Sequence, residues 1–171
     1  MKKLLGFSIF LVFVLIASLT AEAKVTLPAI FSDNMVLQQN TQVNVWGKAA
    51  PGEKVTVKAS WLDKAVTAKA AANGKWTVKL KTPKATTNQS VTVSGENEIT
   101  INNILIGEVW LCTGQSNMEF PVSRHPDVKW NTGMLNEAEE LKDADYPEIR
   151  LFHVKHQLAH EGELDDCEGE W

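Results

Sequence analysis

Between Val25 and Ile104 the chain is organised in short runs in which apolar residues fall at every second position, and a turn signal stops each run. Val43 and Val45 form one such set, Val55, Val57 and Ala59 the next, then Trp76, Val78 and Leu80, then Val91 and Val93, then Ile99 and Ile101. A period of two belongs to strands with one face on a core and the other in water, whereas a helix repeats every 3.6 residues. Pro51-Gly52, Asn73-Gly74 and Gly95-Glu96-Asn97 fall between the runs. Asn-Gly between alternating segments is a type I′ hairpin signal, because both residues tolerate positive φ. Strands recurring about every ten residues must bury their apolar faces by packing sheet on sheet, so residues 24–104 are expected to form an all-β sandwich.

After Asn102-Asn103 the pattern changes. Ile104 to Cys112 (ILIGEVWLC) is nearly continuous apolar sequence, as in a strand covered on both faces. Thr113-Gly114-Gln115-Ser116-Asn117-Met118 follows directly, Met134 to Lys142 has helix-forming composition, and Ile149 to Val154 reads as a strand after Pro147. Strand, glycine turn, helix and strand is how a parallel α/β sheet begins, so residues 105–171 are expected to be the incomplete start of an α/β domain.

The first 23 residues have a different character. Lys2 and Lys3, the apolar run Leu4 to Leu19 and then Ala21-Glu22-Ala23 follow the order of a secretory signal peptide, and the run is shorter than the roughly 20 apolar residues of a membrane span. Cleavage after Ala23 leaves 148 of the 171 residues and removes two lysines and one glutamate, moving the formal charge from −4 to −5. A mildly acidic chain has no electrostatic footprint for nucleic acid. Two cysteines, Cys112 and Cys167, are too few for a disulfide framework, and neither lies at the cleavage site, where a lipid anchor would need one. The expectation is an exported, periplasmic or extracellular protein, bacterial by its short lysine-led leader, with no membrane association after cleavage.

Ser116 is the residue that could carry chemistry. A strand running into a glycine turn places the next residue at the carboxyl edge of a sheet, where open α/β folds bind ligands. A helix starting near Asn117 would aim free N–H groups at the serine oxygen, which suits a nucleophile whose attack creates an oxyanion. The same stretch also reads as a turn and helix N-cap, with Ser116 or Asn117 bonding a backbone amide. It is not the G-x-S-x-G elbow, because Met118 stands where the second glycine belongs.

The string Gly107 to Phe120 (GEVWLCTGQSNMEF) resembles the nucleophile block of the sialate O-acetylesterase family, a branch of the SGNH hydrolases. Three further stretches resemble that family in the same order: Phe31 to Gln39 (FSDNMVLQQ), Val45 to Val57 (VWGKAAPGEKVTV) and Asn73 to Leu80 (NGKWTVKL). The resemblance implies a serine esterase that removes acetyl groups from sugar hydroxyls, with no cofactor or metal and an acetylated sugar or glycan as partner. It implies Ser116 as nucleophile, its own N–H as one oxyanion donor, and Gln115 and Asn117 as support in the nucleophile block. It also implies that residues 105–171 are the truncated start of an SGNH-type three-layer α/β domain with a parallel sheet.

A serine hydroxyl needs a histidine to accept its proton and a further group to orient that histidine. The family supplies these in an Asp-x-x-His block further along the chain, and none of His125, His153, His156 or His160 stands in such a block. The histidines are therefore expected to be solvated or structural, and the 171-residue chain to be inactive alone. The acidic stretch Glu161 to Glu170 around Cys167 has no zinc-ligand spacing. Trp46, Trp61 and Trp76 could stack on sugar rings, which keeps a non-catalytic carbohydrate-binding module as an alternative, but packing against the core is the default for all three.

Overall fold

The computed structural model describes residues 24–124, 127, 133–158, 160 and 162–171. The signal-like residues 1–23 and His125 lie outside them. Seven strands make up most of the fold: β1 (Val36–Gln38), β2 (Gln42–Lys48), β3 (Lys54–Ala59), β4 (Val66–Lys69), β5 (Lys75–Lys81), β6 (Thr86–Ser94) and β7 (Glu98–Gly107). Five of them form one sheet in the order β1-β7-β6-β3-β4, and β2 pairs with β5 in a separate antiparallel ribbon. All pairs in the larger sheet are antiparallel except β1 with β7, which run parallel with Val36 opposite Leu105.

The alternation read from the sequence decides which side chains go inside. In β5 the buried and exposed positions alternate strictly, with Trp76, Val78 and Leu80 inward. Val45 of β2 joins them from across the ribbon, and Val55, Val57 and Ala59 of β3, Val91 and Val93 of β6 and Ile101 of β7 close the same core from the larger sheet. Each fully buried branched aliphatic side chain contributes about 1.5–3 kcal/mol relative to exposure, so this shared core is the main source of stability. Near its carboxyl end β7 abandons alternation, and Ile104, Leu105 and Ile106 are buried in succession. Met35 and the parallel strand β1 help to cover that end.

The turns carry the expected residues with one change of type. Gly52 follows Pro51 with φ +81°, and the Glu53 N–H donates to Ala50 O at 2.9 Å, the geometry of a type II turn. At Asn73-Gly74 only the glycine has positive φ, so the turn is not type I′. The Gly74 N–H closes on Ala71 O, the Ala71 N–H donates to Lys75 O, and Asn73 Oδ1 accepts from the Lys75 N–H. This longer loop lets the chain leave the five-stranded sheet at β4 and enter the ribbon at β5, which a tight two-residue hairpin between paired strands would not do. Glu53 fastens two turns together by accepting from the N–H groups of Ala50 and Glu96.

Beyond Gly107 the structure differs from the sequence expectation. Ile104 to Gly107 are the end of β7, and Val109, Trp110 and Leu111 are exposed instead of lying in a strand covered on both faces. The helix expected over Met134 to Lys142 is α1 (Glu137–Asp143), with no buried residue. The strand expected over Ile149 to Val154 shrinks to β8 (His153–Val154), which pairs antiparallel with β9 (Gly169–Glu170). No parallel sheet continues past β7 among the described residues. The physical reason is coverage, because a parallel sheet is stable only with helices packed on its faces, and α1 buries nothing.

The last segment nevertheless returns to the β unit. The Trp171 ring lies tilted against Phe152 with centroids 5.2 Å apart, and its indole N–H donates to Ile30 O at 2.9 Å. Arg150 donates to the carbonyls of Asn34 and Asn103 and to Asn103 Oδ1. Asp166 Oδ1 accepts from the Ala29 N–H at 3.1 Å.

Candidate functional site

The segment leading to Ser116 is anchored at its base. Gln38 and Gln39 donate their side-chain amides to the two oxygens of Glu108 at 3.0 and 2.7 Å, and Gln38 Oε1 accepts from the Val109 N–H at 2.8 Å. The Gln39 N–H also donates to Gly107 O at 2.8 Å. These two amide donors hold the Glu108 carboxyl below its ordinary range. Two of the stretches that resemble the esterase family, Phe31 to Gln39 and Gly107 to Phe120, thus meet in space. The pairing of two glutamines with one glutamate about 70 residues away leaves no periodic trace in a sequence, so only the fold reveals it.

From this anchor the chain runs exposed through Cys112 and Gly114 to a single 3-10 turn, Ser116–Glu119. Gln115 precedes the turn at its cap position without a side-chain cap bond, and its carbonyl accepts from the Met118 N–H at 2.9 Å. Asn117 O accepts from the Phe120 N–H at 3.3 Å. Gln115, Ser116 and Asn117 are all exposed, and among the described residues nothing hydrogen-bonds the Ser116 hydroxyl. The N-cap role that the sequence left open is therefore not taken by Ser116. The turn is four residues long, so the helix start foreseen near Asn117 takes a shorter form here.

His153 sits exposed in β8 opposite Glu170, His156 and His160 are exposed, and no hydrogen bond brings any of them to Ser116. Cys112 and Cys167 are both free thiols. No group of three or more acidic, histidine or cysteine side chains suited to a metal occurs among the described residues, and no helix there is long and apolar enough to cross a membrane. Trp76 is buried as expected, and Trp61 is half-buried with its indole N–H on Lys81 O at 2.9 Å. Trp46 is 39% exposed and packs edge-on against Phe31 of the core.

The fold is shared with a carbohydrate acetylesterase. A crystal structure of such an enzyme from Xanthomonas citri superposes with a TM-score of 0.73 at 30% identity, over 86% of this chain and 32% of that one. Sialate O-acetylesterase from Mus musculus is 31% identical over 150 residues, covering 81% of this chain and 26% of the mouse protein, and that from Homo sapiens is 28% identical over 146 residues. No protein-family model matches the chain. By these likenesses the chain is a homologue of the sialate O-acetylesterases in sequence and of a carbohydrate acetylesterase in fold, and it spans about a quarter of the length of the mammalian relatives it matches.

Proposed function

We propose that the chain carries the nucleophile segment of a carbohydrate O-acetylesterase, acting on acetyl esters of sugar hydroxyls through Ser116. The observation that carries this reading is an exposed, uncommitted serine in a GQSNM turn, within a fold shared with an acetylesterase. In the reaction Ser116 Oγ attacks the acetyl carbonyl while a histidine accepts its proton, and the sugar alcohol leaves with a proton returned by that histidine. Water then attacks the acetyl-serine and releases acetate. The N–H of Ser116 is one donor to the oxyanion, with Gln115 and Asn117 shaping the turn that presents it.

On this reading residues 24–104 are a β-sandwich domain and residues 105–171 belong to an SGNH-type α/β domain. Residues 1–23 are an export signal, which places the protein in a periplasm or outside the cell. The Asp-x-x-His block does not occur within the 171 residues, so the chain by itself is expected not to turn over a chromogenic acetate ester above the buffer rate. A longer product of the same reading frame that contains the block is expected to release acetate from O-acetylated sugars. Ser116→Ala in that product should lower kcat by about a thousandfold or more, because a triad acts as a unit. An unchanged rate would overturn the assignment of Ser116.

A further inference from the structure

Trp46 forms a wall common to two adjoining cavities. One, of about 410 Å³, is also lined by Leu27, Pro28, Gly47 and Trp76, and the other, of about 480 Å³, extends past Trp46 to Val154 and Leu164. Volumes of roughly 300–1,000 Å³ are those of small-ligand sites. The Trp46 ring is fixed edge-on by Phe31, with centroids 4.6 Å apart and planes at 80°, so it offers a flat apolar surface of set orientation. Gly47 lies opposite Trp76 in the β2–β5 register, and a Cβ there would meet Trp76 at 2.9 Å and Thr26 O at 2.2 Å. The absence of a side chain at 47 therefore keeps the Trp76 ring in the cavity wall. The Trp76 indole N–H is buried and has no hydrogen-bond partner, an uncommon state for a buried donor.

Charge narrows the ligand class. Lys75 Nζ lies 2.6 Å and Lys48 Nζ 3.6 Å from the Asp165 carboxylate, with Asp166 beside it, so two lysines face two carboxylates around the first cavity, while the second adds Lys155 to the same two carboxylates. A net-charged ligand would break up these pairs, while a neutral polyhydroxylated one adds hydrogen bonds to them. A ring with an apolar C–H face for Trp46 and hydroxyls for the rim is a pyranose.

We propose that the paired cavities around Trp46 are a glycan-binding subsite that seats a neutral pyranose against the Trp46 ring. Ser116 lines neither cavity, so failure of the esterase reading would leave this binding intact. The test is titration of the 171-residue chain with xylotetraose, cellotetraose and an anionic trigalacturonate, followed by calorimetry and tryptophan fluorescence. Saturable binding of a neutral tetrasaccharide is expected, with trigalacturonate weaker. Trp46→Ala and Thr77→Arg, the latter at an exposed lining position opposite Trp46, should each weaken binding at least tenfold. Should Trp46→Ala fail to fold, Thr77→Arg decides alone. No saturable binding of either neutral sugar, preference for the anion, or unchanged affinity in Thr77→Arg would overturn the proposal.

Discussion

Residues 24–107 and residues 108–171 are comparably rich in large apolar side chains, yet among the described residues only the first region buries them. Val45, Val57, Leu80 and Ile104 are inaccessible to solvent, whereas Trp110, Leu111 and Leu135 are 84%, 89% and 90% exposed. The difference lies in partners. Each strand of the β unit finds a neighbour within the chain and a second sheet to face, while the later elements are short and are tied down by single contacts such as Arg150, Asp165 and Trp171. Apolar composition alone thus does not build a core; it needs a second surface at packing distance.

The contrast is broken most directly at its strongest point. Ile104→Ala should cost about 2–5 kcal/mol of unfolding free energy, since it leaves a cavity in the shared core, whereas Leu111→Ala should stay within about 0.5 kcal/mol. Chemical denaturation of the two variants checks this, and equal losses would mean that the region after Gly107 has a core of its own. Gly47→Ala comes next, because its Cβ would press on Thr26 O and the Trp76 ring, with an expected cost of about 1–3 kcal/mol and a lowered Tm.

Arg150→Ala should act on the docking of the later region alone. It removes donors to Asn34 and Asn103 at an exposed site, so about 1 kcal/mol or less is expected. Segment-resolved hydrogen exchange should speed up near residues 149–155 while β3 and β6 keep their protection. The smallest effect is electrostatic. Lys75, by hydrogen bond and then by charge, holds the Asp165 carboxyl below its ordinary range. A depressed folded-state value means that the contribution is present above the unfolded carboxylate value of about 4 and is lost as pH falls through the folded one. Exchange at residues 165–171 should therefore rise on acidification below about pH 4, and Asp165→Asn should abolish that dependence.

Much of the β unit was legible because alternation is a local property. Val55, Val57 and Ala59, or Trp76, Val78 and Leu80, announce both strand and inward face from their own spacing. The stretch Ile104 to Cys112 misled because a buried strand end and an exposed apolar segment have the same composition, and only the presence of β1 beside Leu105 separates one from the other. Ser116 was legible through its motif. The clamp of Gln38 and Gln39 on Glu108, and the cavities around Trp46, join residues distant in the chain and carry no local signal.

The amino-acid order by itself determined where most strands of residues 25–107 form, which of their faces turn inward, where glycine must permit a turn, and the resemblance to the sialate O-acetylesterases, since each of these depends on neighbours in sequence. Tertiary structure alone decided which strands pair, that β1 runs parallel to β7, that Ser116 stands free of a capping bond, and that Trp46 faces a cavity. Pairing and exposure depend on what arrives from elsewhere in the chain, and the free energy of burying a side chain is set by the surface that meets it.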